Sequence, residues 1–139
     1  MDVVACPAGA DAVALRACID AGARGLVLEG SGSGNLPPLV ADAVAQLARD
    51  RPDVVVVAGT RVPRGEATAT YAGTGGGAEL ARHGVLSCGH LRSGQARVLL
   101  TALISLAGAG GSGGAADPEN AENAAAAVRS QWARYHLYS

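Results

Sequence analysis

A small doubly wound α/β domain, with a parallel sheet of about four strands and helices on both faces, is the fold class the sequence predicts. Short apolar runs alternate with segments of helical periodicity, one strand in roughly 25 residues. The run Val54-Val55-Val56-Val57 is β-branched and does not alternate with polar residues, as expected of a strand buried on both faces. Glycine-rich sequence stands where a strand gives way to a helix, most densely from Gly30 to Asn35.

Taken in order, Val3-Val4-Ala5-Cys6 reads as the first strand. Asp11 offers an N-cap to a helix whose Leu15, Cys18 and Ile19 recur at i, i+3 and i+4, and Gly22 closes it. Residues 25–29 form a second strand, followed by the turn Gly30-Ser31-Gly32-Ser33-Gly34-Asn35. Pro37 and Pro38 then open a second helix, since a first helical turn needs no amide donor there. Its apolar pairs Leu39/Val40, Ala43/Val44 and Leu47/Ala48 return every four residues. The valine run marks the sheet centre. A polar stretch over 59–77 leads to a short helix near 78–83, a fourth strand at 85–88 and a helix over about 93–106. Residues 107–116, almost all glycine and alanine, read as a linker. Asp117-Pro118-Glu119 restarts a helix with cap, proline and acid in favoured order, and Ala121, Ala125, Val128, Trp132 and Tyr135 form its apolar stripe. The expected organisation is an α/β domain over 1–106, the linker, and a C-terminal helical segment over 117–139.

Composition narrows the chemistry. The 139 residues carry 11 basic side chains, every one an arginine, so no Schiff base, P-loop lysine or lysine general base is available. A formal charge of −1, arginines spread from Arg16 to Arg134 and 3% aromatic residues give no basic stripe and few stacking platforms. Nucleic acid and anionic membrane are therefore not expected as partners. The three cysteines, Cys6, Cys18 and Cys88, are odd in number and widely spaced, which favours a reducing compartment. With a start in strand-like sequence and no long uncharged apolar run, a cytoplasmic location is expected.

The turn around Asn35 is the most informative stretch, because ligands of open parallel sheets bind where strands end and helices begin. Glycines let backbone amides approach a ligand, the helix terminus favours an anion, and the Asn35 carboxamide can donate and accept at once. That chemistry suits an amino-acid head group. A tight connection capped by Asn35 is the alternative. Neither a P-loop, a G-x-G-x-x-G fingerprint nor a G-x-S-x-G elbow fits this turn. His83, Cys88 and His90 form an H-x4-C-x-H cluster, but zinc needs a further ligand with second-shell support and no convincing one is evident. No metal or other cofactor is expected. Tyr71, in the polar stretch, is placed to reach a site as a hydrogen-bond donor, whereas Glu66 reads as a solvated surface residue. Thr74-Gly75-Gly76-Gly77 looks like a nucleophile turn but has neither a preceding strand nor a neighbouring base.

Four motifs in order, Gly25-Leu26-Val27-Leu28-Glu29-Gly30-Ser31-Gly32-Ser33-Gly34-Asn35-Leu36-Pro37, Arg61-Val62-Pro63-Arg64-Gly65, Gly84-Val85-Leu86-Ser87-Cys88-Gly89-His90-Leu91 and Gln95-Ala96-Arg97-Val98-Leu99-Leu100, resemble the smaller C-terminal domain of bacterial L-asparaginases. The resemblance covers about residues 3–135. It implies a flavodoxin-like fold and a share in hydrolysing asparagine to aspartate and ammonia. In that family the threonine nucleophile, in a T-G-G-T-I turn, and a T-D-T triplet paired with a lysine belong to the N-terminal domain; this sequence has neither motif and no lysine. The isolated chain is therefore expected to be inactive, with no catalytic residue of its own. The resemblance matches Asn35 to an asparagine that holds the substrate's amino-acid end, often in a neighbouring subunit's active site. Ser33 stands where some members carry another asparagine. A glutamate that some periplasmic members place beyond the R-V-P-x-G block aligns near Ala72, beside Tyr71. Ser33, Gly34, Asn35 and Tyr71 are thus the expected substrate-binding residues. Asparagine or aspartate, an N-terminal catalytic domain or a neighbouring subunit, and a homo-oligomer are the expected partners. A stand-alone amino-acid-binding or regulatory module and a structural assembly partner are the alternatives.

Overall fold

Two inner strands set the frame. In a computed structural model that describes residues 1–109 and 117–136, strand β2 (Gly25–Gly30) pairs in parallel with β3 (Val55–Thr60), and β1 (Asp2–Ala5) and β4 (Leu86–Ser87) flank them. The strands follow one another across the sheet in chain order, β1-β2-β3-β4. A sheet that grows in one direction through right-handed crossovers puts its connecting helices on one face. Helices α1 (Val13–Asp20), α2 (Pro38–Asp50) and α3 (Gly77–Arg82) cover that face. Helices α4 (Ser93–Ala109) and α5 (Pro118–His136) cover the other, completing the three-layer α/β arrangement with its C-terminal helix.

Alternation along the inner strands builds two cores. Leu26, Leu28, Val54, Val56 and Ala58 face α1–α3 with Leu15, Val40, Val44 and Leu80. Val27, Val55 and Val57 face α4 and α5 with Leu100, Leu103, Val128 and Trp132. Each fully buried aliphatic side chain contributes about 1.5–3 kcal/mol through the hydrophobic effect, so the small-residue composition still supports a packed interior.

Element boundaries differ from expectation where tertiary pairing overrides local pattern. β3 runs on through Ala58-Gly59-Thr60 because these residues pair with Leu28, Glu29 and Gly30. α1 starts at Val13, and the Asp11 carboxylate still serves its first turn by accepting the Val13 amide at 3.0 Å. α4 extends to Ala109, so residues 107–109, expected in the linker, are helical; Ala107 rests on the second core and alanine is the best helix former. The rest of that expected linker, 110–116, and the last three residues of the chain lie outside the described residues.

α5 docks through specific contacts as well as burial. Asp117 caps it by accepting the Glu119 amide at 3.1 Å. Ala121, Ala125, Val128 and Trp132 are buried as the stripe predicts, whereas Tyr135 is 55% exposed, one turn beyond the last anchored residue. Trp132 Nε1 donates to the Ser87 carbonyl at 2.9 Å, and the Arg129 guanidinium donates to the carbonyls of Pro52 and Val54 at 3.0 and 2.9 Å. No described helix is long and apolar enough to cross a membrane.

Candidate ligand-binding turn at the sheet's carboxyl edge

The register Glu29↔Gly59 and Gly30↔Thr60 brings the ends of β2 and β3 out together, and the glycine-rich turn rises from that edge. Ser31 and Asn35 close it as a bridge: the Ser31 amide donates to the Asn35 carbonyl and the Asn35 amide to the Ser31 carbonyl, both at 2.9 Å. Gly30 is required at its base because a Cβ there would collide with the Asn35 carbonyl. Gly34, at φ +99°, occupies the left-handed region that disfavours side chains.

Neighbouring segments clamp the turn from outside. The Thr60 hydroxyl donates to the Gly32 carbonyl at 2.5 Å, the Thr68 amide to the Ser33 carbonyl at 3.0 Å, and the Leu36 amide to the Gly75 carbonyl at 2.9 Å. Glu79 on α3 in turn accepts the Gly75 amide at 2.7 Å. The polar stretch between β3 and α3 is thus the scaffold of the turn. Arg92 ties that stretch to the start of α4 by donating to the Val62 carbonyl at 2.7 Å.

With its backbone satisfied, the Asn35 side chain is left over for other work. It does not cap α2, whose N-cap is Pro37 and has no side-chain cap bond. Its Oδ1 is buried without a hydrogen-bond partner, and so is Ser33 Oγ. An unsatisfied buried polar atom costs roughly 1–3 kcal/mol, a cost that a ligand donor would remove.

The expected site residues do not all converge. Ser33 and Gly34 line a cavity of about 210 Å³ that runs behind the turn towards α3, β4 and α5, and that lining includes neither Asn35 nor Tyr71. Tyr71 is 58% exposed on the polar stretch, where its carbonyl accepts the Ala78 amide at 2.9 Å. The His83, Cys88, His90 cluster is dispersed by the fold. His83 ends α3, Cys88 is buried and His90 Nε2 lies 3.9 Å from Glu66. Among the described residues no three metal-ligating side chains gather.

Several positioning residues carried no readable signal in the sequence. Thr60 and Thr68 matter only once the strands are in register, and Glu29 only once α4 is docked. The Glu29 carboxylate accepts the Ser93 hydroxyl at 2.8 Å. Cys6 and Cys88 lie near this carboxylate. Burial, reinforced by its negative charge, pushes the Cys6 thiol up to about 11 and Cys88 to about 12, so both are protonated at neutral pH.

The sequence model of the Glutaminase/Asparaginase C-terminal domain family matches residues 1–109, which hold the whole sheet, the turn and its clamps. An L-asparaginase from Bacillus licheniformis is 34% identical over 106 residues, covering 76% of this chain and 32% of that protein. A probable L-asparaginase from Deinococcus radiodurans is 39% identical over 84 residues, covering 60% of this chain and 24% of that protein. The chain therefore spans 32% and 24% of the lengths of these two relatives.

Proposed function

We propose that this chain, which belongs to the glutaminase/asparaginase C-terminal domain family, supplies the substrate-binding and assembly part of an asparaginase-type amidohydrolase whose catalytic groups reside in an N-terminal domain. The reaction converts asparagine and water to aspartate and ammonia. Asn35 holds the substrate's amino-acid end: its Nδ2 donates to the α-carboxylate and its Oδ1 accepts from the α-ammonium group. The backbone of Ser33 and Gly34 shapes the turn, and Tyr71 approaches from the polar stretch. The observation that carries this reading is the buried, unpartnered Oδ1 of Asn35 on a turn whose backbone is already satisfied.

With no lysine in the sequence, the proton-transfer machinery of this chemistry has to come from the catalytic domain. The active assembly joins that domain, or a neighbouring subunit, to this edge of the sheet, in a homo-oligomer located in the cytoplasm. The domain proper is the α/β unit, and α5 is an appended element beyond the family match.

Calorimetric titration with L-asparagine and L-aspartate tests the reading. Silence from the chain alone, followed by binding once an asparaginase N-terminal domain is added, is the expected result. Binding by the chain alone supports instead a stand-alone amino-acid-binding module. Binding in the mixture that is unchanged by Asn35→Ala supports a purely structural partner.

A further inference from the structure

Arg129 enters the interior as a cation without a counter-ion. Its Nη2 donates to the carbonyls of Pro52 and Val54, which spends both protons of that nitrogen on neutral acceptors. Among the described residues no carboxylate forms an ion pair with it. Glu122 and Asp53 act on it only at longer range, and Asp53 is already held by Arg51 at 2.8 Å. Burial outweighs their attraction and lowers the guanidinium pKa from its ordinary value. A partly buried charge that is not neutralised locally costs free energy, and an anion beside it removes that cost.

Space for such an anion is built into the fold. A cavity of about 180 Å³ lies between α2, the α3–β4 connection and α5, and Arg129 lines it together with His83 and Gly84. Gly84, at φ +73°, brings its backbone beside the guanidinium: a Cβ there would meet a single neighbour, Arg129 Nε, at 4.0 Å. Nε has no hydrogen-bond partner among the described residues and is not shut off from solvent. His83 adds an imidazole, whose N–H donates in either protonation state. The rest of the wall is apolar, and Leu47, Val56 and Val85 keep 7%, 7% and 8% of their surface exposed along it. An apolar cavity of roughly 150 Å³ accepts a benzene-sized molecule, so this one has room for a carboxylate on a chain of about four carbons.

We infer that this cavity binds a small aliphatic carboxylate of about butyrate size, which accepts hydrogen bonds from Arg129 Nε and the His83 imidazole while its chain lies on Leu47, Val56 and Val85. The positive charge without a counter-ion selects an anion over an alcohol, and the apolar wall selects a carboxylate with a chain over a bulky oxyanion. No residue of the Asn35 turn lines the cavity, so the site does not depend on what Asn35 binds. Occupancy would tie α5 to the α3–β4 connection, because the ligand touches both.

Sodium butyrate is the probe, with n-butanol as its uncharged analogue and sodium phosphate as the bulky anion, all titrated into the full chain at constant ionic strength set by sodium chloride. Calorimetry is expected to give saturable binding of butyrate and at least tenfold weaker binding of the other two. Arg129→Gln is expected to weaken butyrate binding about 10- to 100-fold, the worth of a hydrogen bond to a charged group, and His83→Ala about three- to tenfold. Arg129→Gln also gives up the two carbonyl contacts, so Ala48→Glu provides a second variant. Ala48 lines the cavity from a half-buried position on α2, and a glutamate there supplies the counter-ion from the chain itself. With the native fold checked by circular dichroism, Ala48→Glu is expected to raise the melting temperature and abolish butyrate binding. The inference is overturned by an absence of saturable heat from butyrate, by n-butanol or phosphate binding as tightly as butyrate, or by undiminished butyrate binding to folded Ala48→Glu.

Discussion

Asn35 and Ser33 are two residues apart in the turn, and each leaves a buried side-chain oxygen without a partner. Asn35 was legible as a candidate because a carboxamide in a glycine turn between strand and helix is a recognisable chemical pattern. Ser33 was legible as part of the same turn, but not as a cavity wall, because that role depends on Trp132, 99 positions further along the chain. Ser33→Ala is expected to leave stability unchanged or raise it by up to about 1 kcal/mol, since it removes a buried hydroxyl that has no partner; thermal unfolding measures this. The cysteines give a second test at this scale. Cys6 and Cys88 are buried with raised thiol pKa values, about 11 and about 12, whereas Cys18 is half-buried. A chromogenic disulfide reagent at pH 8 should therefore modify Cys18 first in the folded protein and all three on unfolding. Rapid native-state reaction of Cys88 would contradict its described burial.

At the scale of elements, the sequence showed where helices and strands exist more reliably than where they end. β3 gained three residues from pairing with β2, and α4 gained a turn from resting on the core; neither cause is local. α5 was legible as an amphipathic helix, but its anchors were not. Arg129 reads as a surface charge until its guanidinium is seen bonded to the carbonyls of Pro52 and Val54. Trp132→Ala should destabilise the protein by about 3–5 kcal/mol, the range for removing a large buried aromatic, as read by denaturant unfolding. The α2–β3 connection carries a pH-dependent contribution. A paired hydrogen bond from Arg51 to Asp53, 2.8 Å at each contact, holds the Asp53 carboxyl below its ordinary range. A depressed folded-state pKa stabilises the native protein above the unfolded carboxylate pKa, and that contribution is lost as pH falls through the folded value. Asp53→Asn should therefore cost about 0.5–1 kcal/mol at pH 7 and almost nothing at pH 2, compared by urea unfolding at both pH values.

For the molecule as a whole, the fold class was legible because alternating strand and helix patterns admit few α/β arrangements. Strand order was not, since the sequence pattern alone does not say on which side of its predecessor each new strand is laid. The one-directional order β1-β2-β3-β4 puts α1–α3 on one face and leaves the other to α4 and α5. The sheet's carboxyl edge then presents the turn, with Asn35 closing it; in the proposed function, a further domain supplies there what a lysine-free chain lacks. Ammonia release from L-asparagine, measured for this chain, for a separately expressed N-terminal asparaginase domain and for their mixture, tests this division of labour most directly. The account predicts no release above a buffer control from this chain alone. It predicts turnover by the mixture, with Asn35→Ala raising KM about 10- to 100-fold, the worth of a hydrogen bond to a charged group. Turnover by this chain alone, or by a mixture indifferent to Asn35→Ala, would contradict it.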